Sequence, residues 1–318
     1  MTASHPPQVE QSASEGVTVN HAFEIRAATR RIGTHTVRTP FHPLGKDVLV
    51  KREDLQVSGS FKIRGAVNTY LTAARERRER ALVTVSTGNT GRALCAIGRW
   101  FSVPVHVFVL EDCDAGKLDD LRRLGATVHV AGRSFLAAGV MAREFADEHR
   151  MSYCSSGADW DFLHGLGSIV LELHDQHPDL DTLFVPVGGG GLAAAVGTAY
   201  AALPEAGKPR IIGVQAANSR PIHDFFHFGR STAEASPTMA DCLAGEPEAD
   251  AIILDVARSV LADVVLVSEP EIELATKHLA SYGITVEPGA AAGYAAHLAA
   301  IGGDGVTGKT GVLLTGMA

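Results

Sequence analysis

An α/β protein built from two open, twisted, parallel-sheet domains is what this sequence predicts, and three observations predict it. Short β-branched runs alternate with segments of helical apolar spacing along most of the chain, the signature of βαβ units and parallel strands. The alternation falls into two blocks, separated near residue 155, with no internal repeat. At 318 residues, 46% hydrophobic and 20% charged, the chain is long enough for two domains and apolar enough to fill their cores.

Taken in order, Val48–Arg52 reads as a strand, Gln56–Ser60 as a turn, and the next stretch as a helix in which Ile63, Val67, Tyr70, Leu71 and Ala74 recur on one face. Ser58 or Ser60 is the candidate N-cap. Strands follow at Ala81–Val85, Val105–Leu110 and Thr127–Ala131, alternating with helices at Arg92–Phe101, Lys117–Leu124 and Phe135–His149. The second block has a helix near Gly167–His174, strands at Thr182–Val187, Arg210–Gln215 and Val264–Val267, and a last strand at Gly311–Thr315. Its other helices are Leu192–Leu203, Ala251–Leu261, Glu269–Tyr282 and Ala290–Ile301, and Ala216–Pro247 is its least regular stretch.

The bulk numbers exclude several classes. Net charge is −8 and the densest basic run is ARERRER at Ala74–Arg80, so no nucleic acid is expected as a partner and that run reads as a solvated helix end. Cys95, Cys113, Cys154 and Cys242 show no C-x-x-C spacing and read as reduced thiols of a cytoplasmic protein. Residues 1–16 are polar without an apolar core, a disordered tail in place of a signal peptide. The uncharged run Leu183–Leu203 contains Pro186 and four successive glycines, which suits a buried strand–loop–helix and no membrane segment.

Three loops could carry chemistry. Lys62 lies in the first turn of its helix between Phe61 and Ile63, where the positive end of the helix dipole and desolvation both disfavour an ammonium. Such a lysine can form an imine and act as a base; the rival reading is an ordinary solvated lysine. Gly188, Gly189, Gly190 and Gly191 lie between a strand and an Ala-rich helix, where successive N–H groups form a phosphate cup. The spacing is not G-x-G-x-x-G, which disfavours a dinucleotide, and close helix–strand packing alone rarely requires four glycines in succession. Ser86-Thr87-Gly88-Asn89-Thr90-Gly91 offers hydroxyls, an amide and backbone N–H groups at a strand-to-helix turn, suited to a substrate carboxylate or, through Asn89, a phenolic oxygen.

Two other patterns carry no function. Gly303–Thr310 matches G-x-x-x-x-G-K-[ST] letter for letter, but a helix precedes it and a strand follows, the reverse of a P-loop. The histidine pairs His174/His177 and His223/His227 form no H-E-x-x-H motif, and no metal site is expected.

With these loops in hand, the chain resembles the pyridoxal-phosphate-dependent serine/threonine dehydratases of the tryptophan-synthase-β (fold type II) group. The resemblance rests on KREDLQ…GSFKIRGA, STGNTG and PVGGGGLA in the expected order, with Thr238–Leu243 (TMADCL), Glu287-Pro288 and Leu314-Thr315-Gly316, and it runs from about Ala22 to the C-terminus. It implies pyridoxal 5'-phosphate in the cleft between the two domains, joined to Lys62 as a Schiff base with Phe61 packed on its ring. The Gly188–Gly191 loop and Leu192 N–H would hold the phosphate, Asn89 the ring oxygen and Thr315 the pyridine nitrogen. Cys242 and Glu287 would line the cofactor, and Ser86, Thr87, Gly88, Asn89 and Thr90 would hold a small amino-acid substrate, with Lys62 and Thr87 catalytic. It further implies a large cofactor-binding domain of residues 17–82 and 156–318, a small mobile domain of 83–155, and a homodimer.

The implied reaction is elimination of water, then ammonia, from a β-hydroxy amino acid such as L-threonine or L-serine. A hydroxyl facing the ring nitrogen in place of a carboxylate makes the ring a poorer electron sink and favours elimination over transamination. The sequence also departs from the pattern. Thr90 stands where the branch has His, as in cysteine-synthase and threonine-synthase loops, which leaves β- or γ-replacement as an alternative. Thr87 stands where racemase relatives place a serine, and Cys242 where a glycine is common. Gln215, Ser219 and Pro221 replace the acidic and backbone groups of a divalent-cation segment. Gly157–Ser168 lacks the usual threonine-dehydratase wording, so the cleft wall expected there would accept a different side chain. The Val83–Asn89 loop and Gly132-Arg133-Ser134 also resemble dehydratases of hydroxyectoine breakdown. A cofactor-binding sensor without turnover is the third reading.

Overall fold

The computed structural model describes residues 20–157, 159–204, 207–230, 236–244, 252–301 and 308–318; the 1–16 tail and most of the Gly303–Thr310 stretch lie outside them. In chain order the elements begin α1 (His21–Ile32), β1 (Phe41–Pro43), β2 (Val48–Arg52), α2 (Lys62–Thr72), α3 (Arg75–Arg78), β3 (Leu82–Val85), α4 (Asn89–Phe101) and β4 (Val105–Val109). Next are α5 (Ala115–Arg123), β5 (Thr127–Val130), α6 (Phe135–Glu148), β6 (Ser152–Tyr153), α7 (Trp160–Gln176), β7 (Thr182–Pro186) and α8 (Gly191–Ala201). The chain continues through β8 (Arg210–Ala216), α9 (Pro221–Phe228), α10 (Ile252–Val260), β9 (Asp263–Val267), α11 (Glu269–Ser281), α12 (Pro288–Ile301) and β10 (Thr310–Leu314).

Two sheets result. One has the order β1-β2-β10-β7-β8-β9, parallel except for β1; the other has the order β5-β4-β3-β6 and is parallel throughout. Both faces of the larger sheet are covered, and the period of two along its strands shows why. Leu183, Val185, Ile211 and Leu313 join the core under α2, α7 and α8. Their neighbours Phe184, Ile212, Val312 and Leu314 join the core under α11 and α12. The first of these cores reaches the small sheet, because Ile63 and Val67 of α2 share it with Leu94 and Ile97 of α4.

Helix boundaries follow local chemistry. Asn20 caps α1 by accepting from Phe23 N, Asp114 caps α5 from Lys117 N, and Asp159 caps α7 from Asp161 N, which starts that helix well before the expected Gly167. Ser268 and Glu271 form a capping box on α11, and Pro288 opens α12. The expected Ser58 or Ser60 cap of α2 is corrected: Phe61 holds the N-cap position with helical φ of −56°, and no side chain caps it. The turn before it is tied instead to the end of the chain, through Phe61 N to Thr315 O (3.1 Å) and Met317 N to Gly59 O (2.8 Å).

The run Leu183–Leu203 is a buried strand, glycine loop and helix, and no helix among the described residues is long and apolar enough to cross a membrane. The four cysteines carry no disulfide. Lys309, the lysine of the P-loop lookalike, is bound to Asp179 (2.8 Å) at the start of β10.

Candidate active site

Parallel strands present their C-terminal ends at one edge, and the crevice beyond that edge is where open α/β sheets place ligands. β2, β10 and β7 are neighbours in parallel register, so the Lys62 turn, Thr315 and the glycine loop emerge side by side.

Lys62 is the first residue of α2, half-buried, with Nζ 5.1 Å from the Phe61 ring centroid and 5.7 Å from that of Phe162. Behind it lies an ionic seat that explains why the segment is worded as it is. Arg64 is 1% exposed and holds Glu53, 0% exposed, through two 2.8 Å bonds. Its Nη1 reaches Glu172 (2.7 Å) and Ser168 (3.2 Å), and its Nη2 also donates to Val37 O (3.3 Å). Lys51, 0% exposed, donates to Glu172 (2.7 Å), Thr39 O (2.7 Å) and Gln176 (2.9 Å). Buried charges are tolerated when paired and hydrogen-bonded in this way. The seat fixes α2 against β2 and α7 and so fixes where Lys62 emerges. Two residues before Lys62, Ser60 Oγ is buried without a partner among the described residues, a hydroxyl that a ligand oxygen would satisfy.

The glycine loop leaves β7 and enters α8. Gly190 has φ of +94°, and a Cβ there would sit 2.7 Å from Ile253 Cγ2. Packing also restricts Gly188, against Cys242 O, and Gly191, against Ser156 O, so close packing accounts for three of the four glycines. The N–H groups of Gly191, Leu192 and Ala193 open α8 without intrahelical acceptors, which leaves an anion-binding terminus beside the packed loop. Gln215, buried, ties this loop to α9: its Nε2 donates to Gly188 O (3.4 Å) and its Oε1 accepts from His223 N (2.8 Å). The amide at this position therefore has a structural task that a metal-binding carboxylate could not perform on both partners.

From the small sheet, the Ser86–Gly91 loop turns into α4, which already includes Asn89 and Thr90. Ser86 Oγ accepts from Gly88 N and Gly91 N, both at 3.1 Å, so this hydroxyl holds the loop itself in shape. The N–H groups of Asn89 and Thr90, the first two of α4, face the helix N-terminus without intrahelical acceptors. Asn89 Nδ2 donates to Glu287 Oε1 (2.8 Å), and Gly316 lies under this contact, where a Cβ would come within 2.2 Å of Glu287 Oε1 and 2.9 Å of Asn89 Nδ2. Burial pushes the Glu287 carboxyl up, against the hydrogen bonds from Asn89 and the Cys242 thiol. Cys242 is exposed as a residue but its sulfur is packed against Gly289 and Glu287, and this desolvation, with the Glu287 and Asp241 carboxyls nearby, pushes the thiol up.

The structure thus gathers Phe61, Lys62, Asn89, Gly188, Cys242, Glu287 and Thr315 around one cleft. Ser86 and Thr90, in the loop and the first turn of α4, are both buried. From Trp160 onward the Gly157–Ser168 stretch is the start of α7, packed on α2, and its Phe162 stands beside Lys62. The sequence reading missed Ser60, Phe162 and the ionic seat. Charges at Lys51 and Glu53 in and beside an apolar strand were the available signal for the seat.

A lysine at a helix start, an anion-binding helix N-terminus, a hydroxyl at a strand end and the unclaimed Ser60 hydroxyl form a donor set that suits a phosphorylated aldehyde such as pyridoxal phosphate. The chain belongs to the pyridoxal-phosphate-dependent enzyme family, which it matches over residues 29–316, and its cofactor is pyridoxal 5'-phosphate. Within that family it is 33% identical over 304 residues to a Sinorhizobium fredii protein provisionally named threonine dehydratase, covering 92% of this chain and 90% of that one. It is 31% identical over 250 residues to the L-threonine ammonia-lyase of Thermotoga maritima, covering 78% of this chain and spanning 61% of that protein's length. Maize serine racemase superposes with a TM-score of 0.86 at 26% identity, covering 93% of both chains. The fold is that of the fold type II enzymes.

Proposed function

We propose that this protein is an ammonia-lyase that eliminates water from a small β-hydroxy amino acid, such as L-threonine or L-serine, and leaves a 2-oxo acid and ammonia. The observation that carries the proposal is the meeting of Lys62, Thr315, the Gly188–Gly191 loop and Asn89 in one cleft. In this reading Lys62 would hold the cofactor, the N–H groups of the Gly188–Gly191 loop and Leu192 would hold its phosphate, and Asn89 and Thr315 would serve its ring oxygen and ring nitrogen. When bound, the cofactor supplies the electron sink that acidifies the substrate α-carbon.

The chain's own groups do the rest. The N–H groups at the start of α4, with Thr87 and Thr90, orient the substrate carboxylate. Lys62 Nζ, half-buried at the start of α2, is the amine placed to take the substrate α-proton. Thr87, half-buried in the same loop, would supply a catalytic hydroxyl. Thr315 offers a hydroxyl and not a carboxylate, which would leave the ring nitrogen unprotonated and favour elimination. The enamine released hydrolyses in water to the 2-oxo acid and ammonia.

The small unit of residues 83–155 moves over the large unit in this proposal, supported by the way one sheet is drawn from 82–153 and the other from the remainder. A cytoplasmic homodimer completes the reading; four cysteines without a disulfide support the compartment and light scattering tests the dimer. Incubation with L-threonine and L-serine is expected to yield 2-oxobutyrate and pyruvate with equimolar ammonia. Product that forms from an activated serine or homoserine only when a thiol or other nucleophile is added would establish the replacement alternative, which Thr90 favours.

A further inference from the structure

Beside the cleft, contacts cross from the helices of the small sheet to the large unit at Asp241 and at Glu287, and these two meet through the turn Asp241–Leu243. Lys117 of α5 forms an ion pair with Asp241, in the 3-10 turn Asp241–Leu243. Asn89 of α4 donates to Glu287, which also receives the thiol of Cys242, the residue after Asp241. The two helices are themselves joined. Leu121, one turn beyond Lys117, packs on Gly91, where a Cβ would lie 2.8 Å from Leu121 Cδ2. Asp120 accepts from Arg92 at 3.3 Å. The contacts therefore close a ring: Asp241, Lys117, α5, Gly91 with Arg92, Asn89, Glu287, Cys242, and back to Asp241.

We propose that Lys117 and Asp241 are positioning residues, an ionic strut that fixes α5 across the cleft and thereby holds the start of α4 with the Asn89 amide aimed correctly. Glu287 Oε1 accepts one N–H of the Asn89 amide and leaves that group's second N–H for the cleft. A strut on α5 sets the distance at which this bond is made. The Lys117 and Asp241 side chains are 40% and 55% exposed, so the pair is within reach of salt and worth up to roughly a five-fold change in an equilibrium.

The proposal rests on the reading of Asn89 as a cleft-facing group, and its test needs no turnover. Amide exchange is followed in peptides covering residues 86–92 of the cofactor-loaded protein, whose Gly91 and Arg92 N–H groups are held by Ser86 Oγ and Gly88 O. Lys117→Met is expected to speed exchange there about two- to five-fold. The exchanged pair Lys117→Asp with Asp241→Lys is expected to restore it. Salt at 0.5 M (roughly three times physiological strength) should mimic the Met variant in the wild type and add nothing in the variant. Unchanged exchange on adding salt to the wild type, or a reversed pair no better than Lys117→Met alone, overturns the strut even if the enzyme turns over as proposed.

Discussion

Replacing Arg64 with Met tests the claim that a buried ionic seat fixes Lys62. The guanidinium makes two 2.8 Å bonds to Glu53 and one of 2.7 Å to Glu172, with Arg64 at 1% exposure. Removing it leaves Glu53 with the hydroxyl of Thr39 (2.5 Å), in a site without solvent access. Breaking one side of a buried pair costs about 3–5 kcal/mol, because the remaining charge is uncompensated. At roughly 2–4 °C per kcal/mol for a domain of this size, the melting temperature should fall by roughly 6–20 °C. Urea unfolding followed by circular dichroism measures the loss, and adding Glu53→Gln to Arg64→Met should recover part of it by removing the stranded charge. A loss below about 1 kcal/mol for Arg64→Met, or no recovery in the double variant, would refute the reasoning.

Gly190→Ala places a methyl 2.7 Å from Ile253 Cγ2 on a backbone at φ +94°, so it should cost roughly 1–3 kcal/mol and weaken cofactor retention, read by dialysis and absorbance. Burial pushes the Glu172 carboxyl up, but Arg64 and Lys51 outweigh it and hold it below its ordinary 4.5. Its contribution to stability is therefore present above pH 4.5 and lost as the pH falls through the lower folded value; acid unfolding of Lys51→Met should show a weaker dependence in that window. Because Gln215 is engaged by Gly188 and His223, millimolar Mg²⁺ should not activate the enzyme and EDTA should not inhibit it; several-fold activation would contradict this.

The parallel sheets and the main site loops were legible because their signals are local. Alternating apolar runs mark strands, and glycines mark the loop that enters α8. What escaped depends on partners distant in sequence. Glu172 looks like any helical glutamate until α7 packs on α2 and brings it to Arg64 and Lys51. Ser58 and Ser60 carry the composition of an N-cap, yet the end of β10 holds that turn by its backbone and leaves the hydroxyl of Ser60 unclaimed. α9 went unrecognised because it is one short helix, and Pro221 and Gly229 at its ends also read as loop. Lys117 reads as a surface charge until the fold places Asp241 opposite it.

The most direct measurement is to load the protein with pyridoxal 5'-phosphate, reduce it with borohydride and map the modified peptide by mass spectrometry. The label should fall on the peptide carrying Lys62 and nowhere else, and Lys62→Ala should take no fixed label and release no 2-oxo acid. A label on another lysine, or undiminished turnover without the Lys62 amine, would contradict the account.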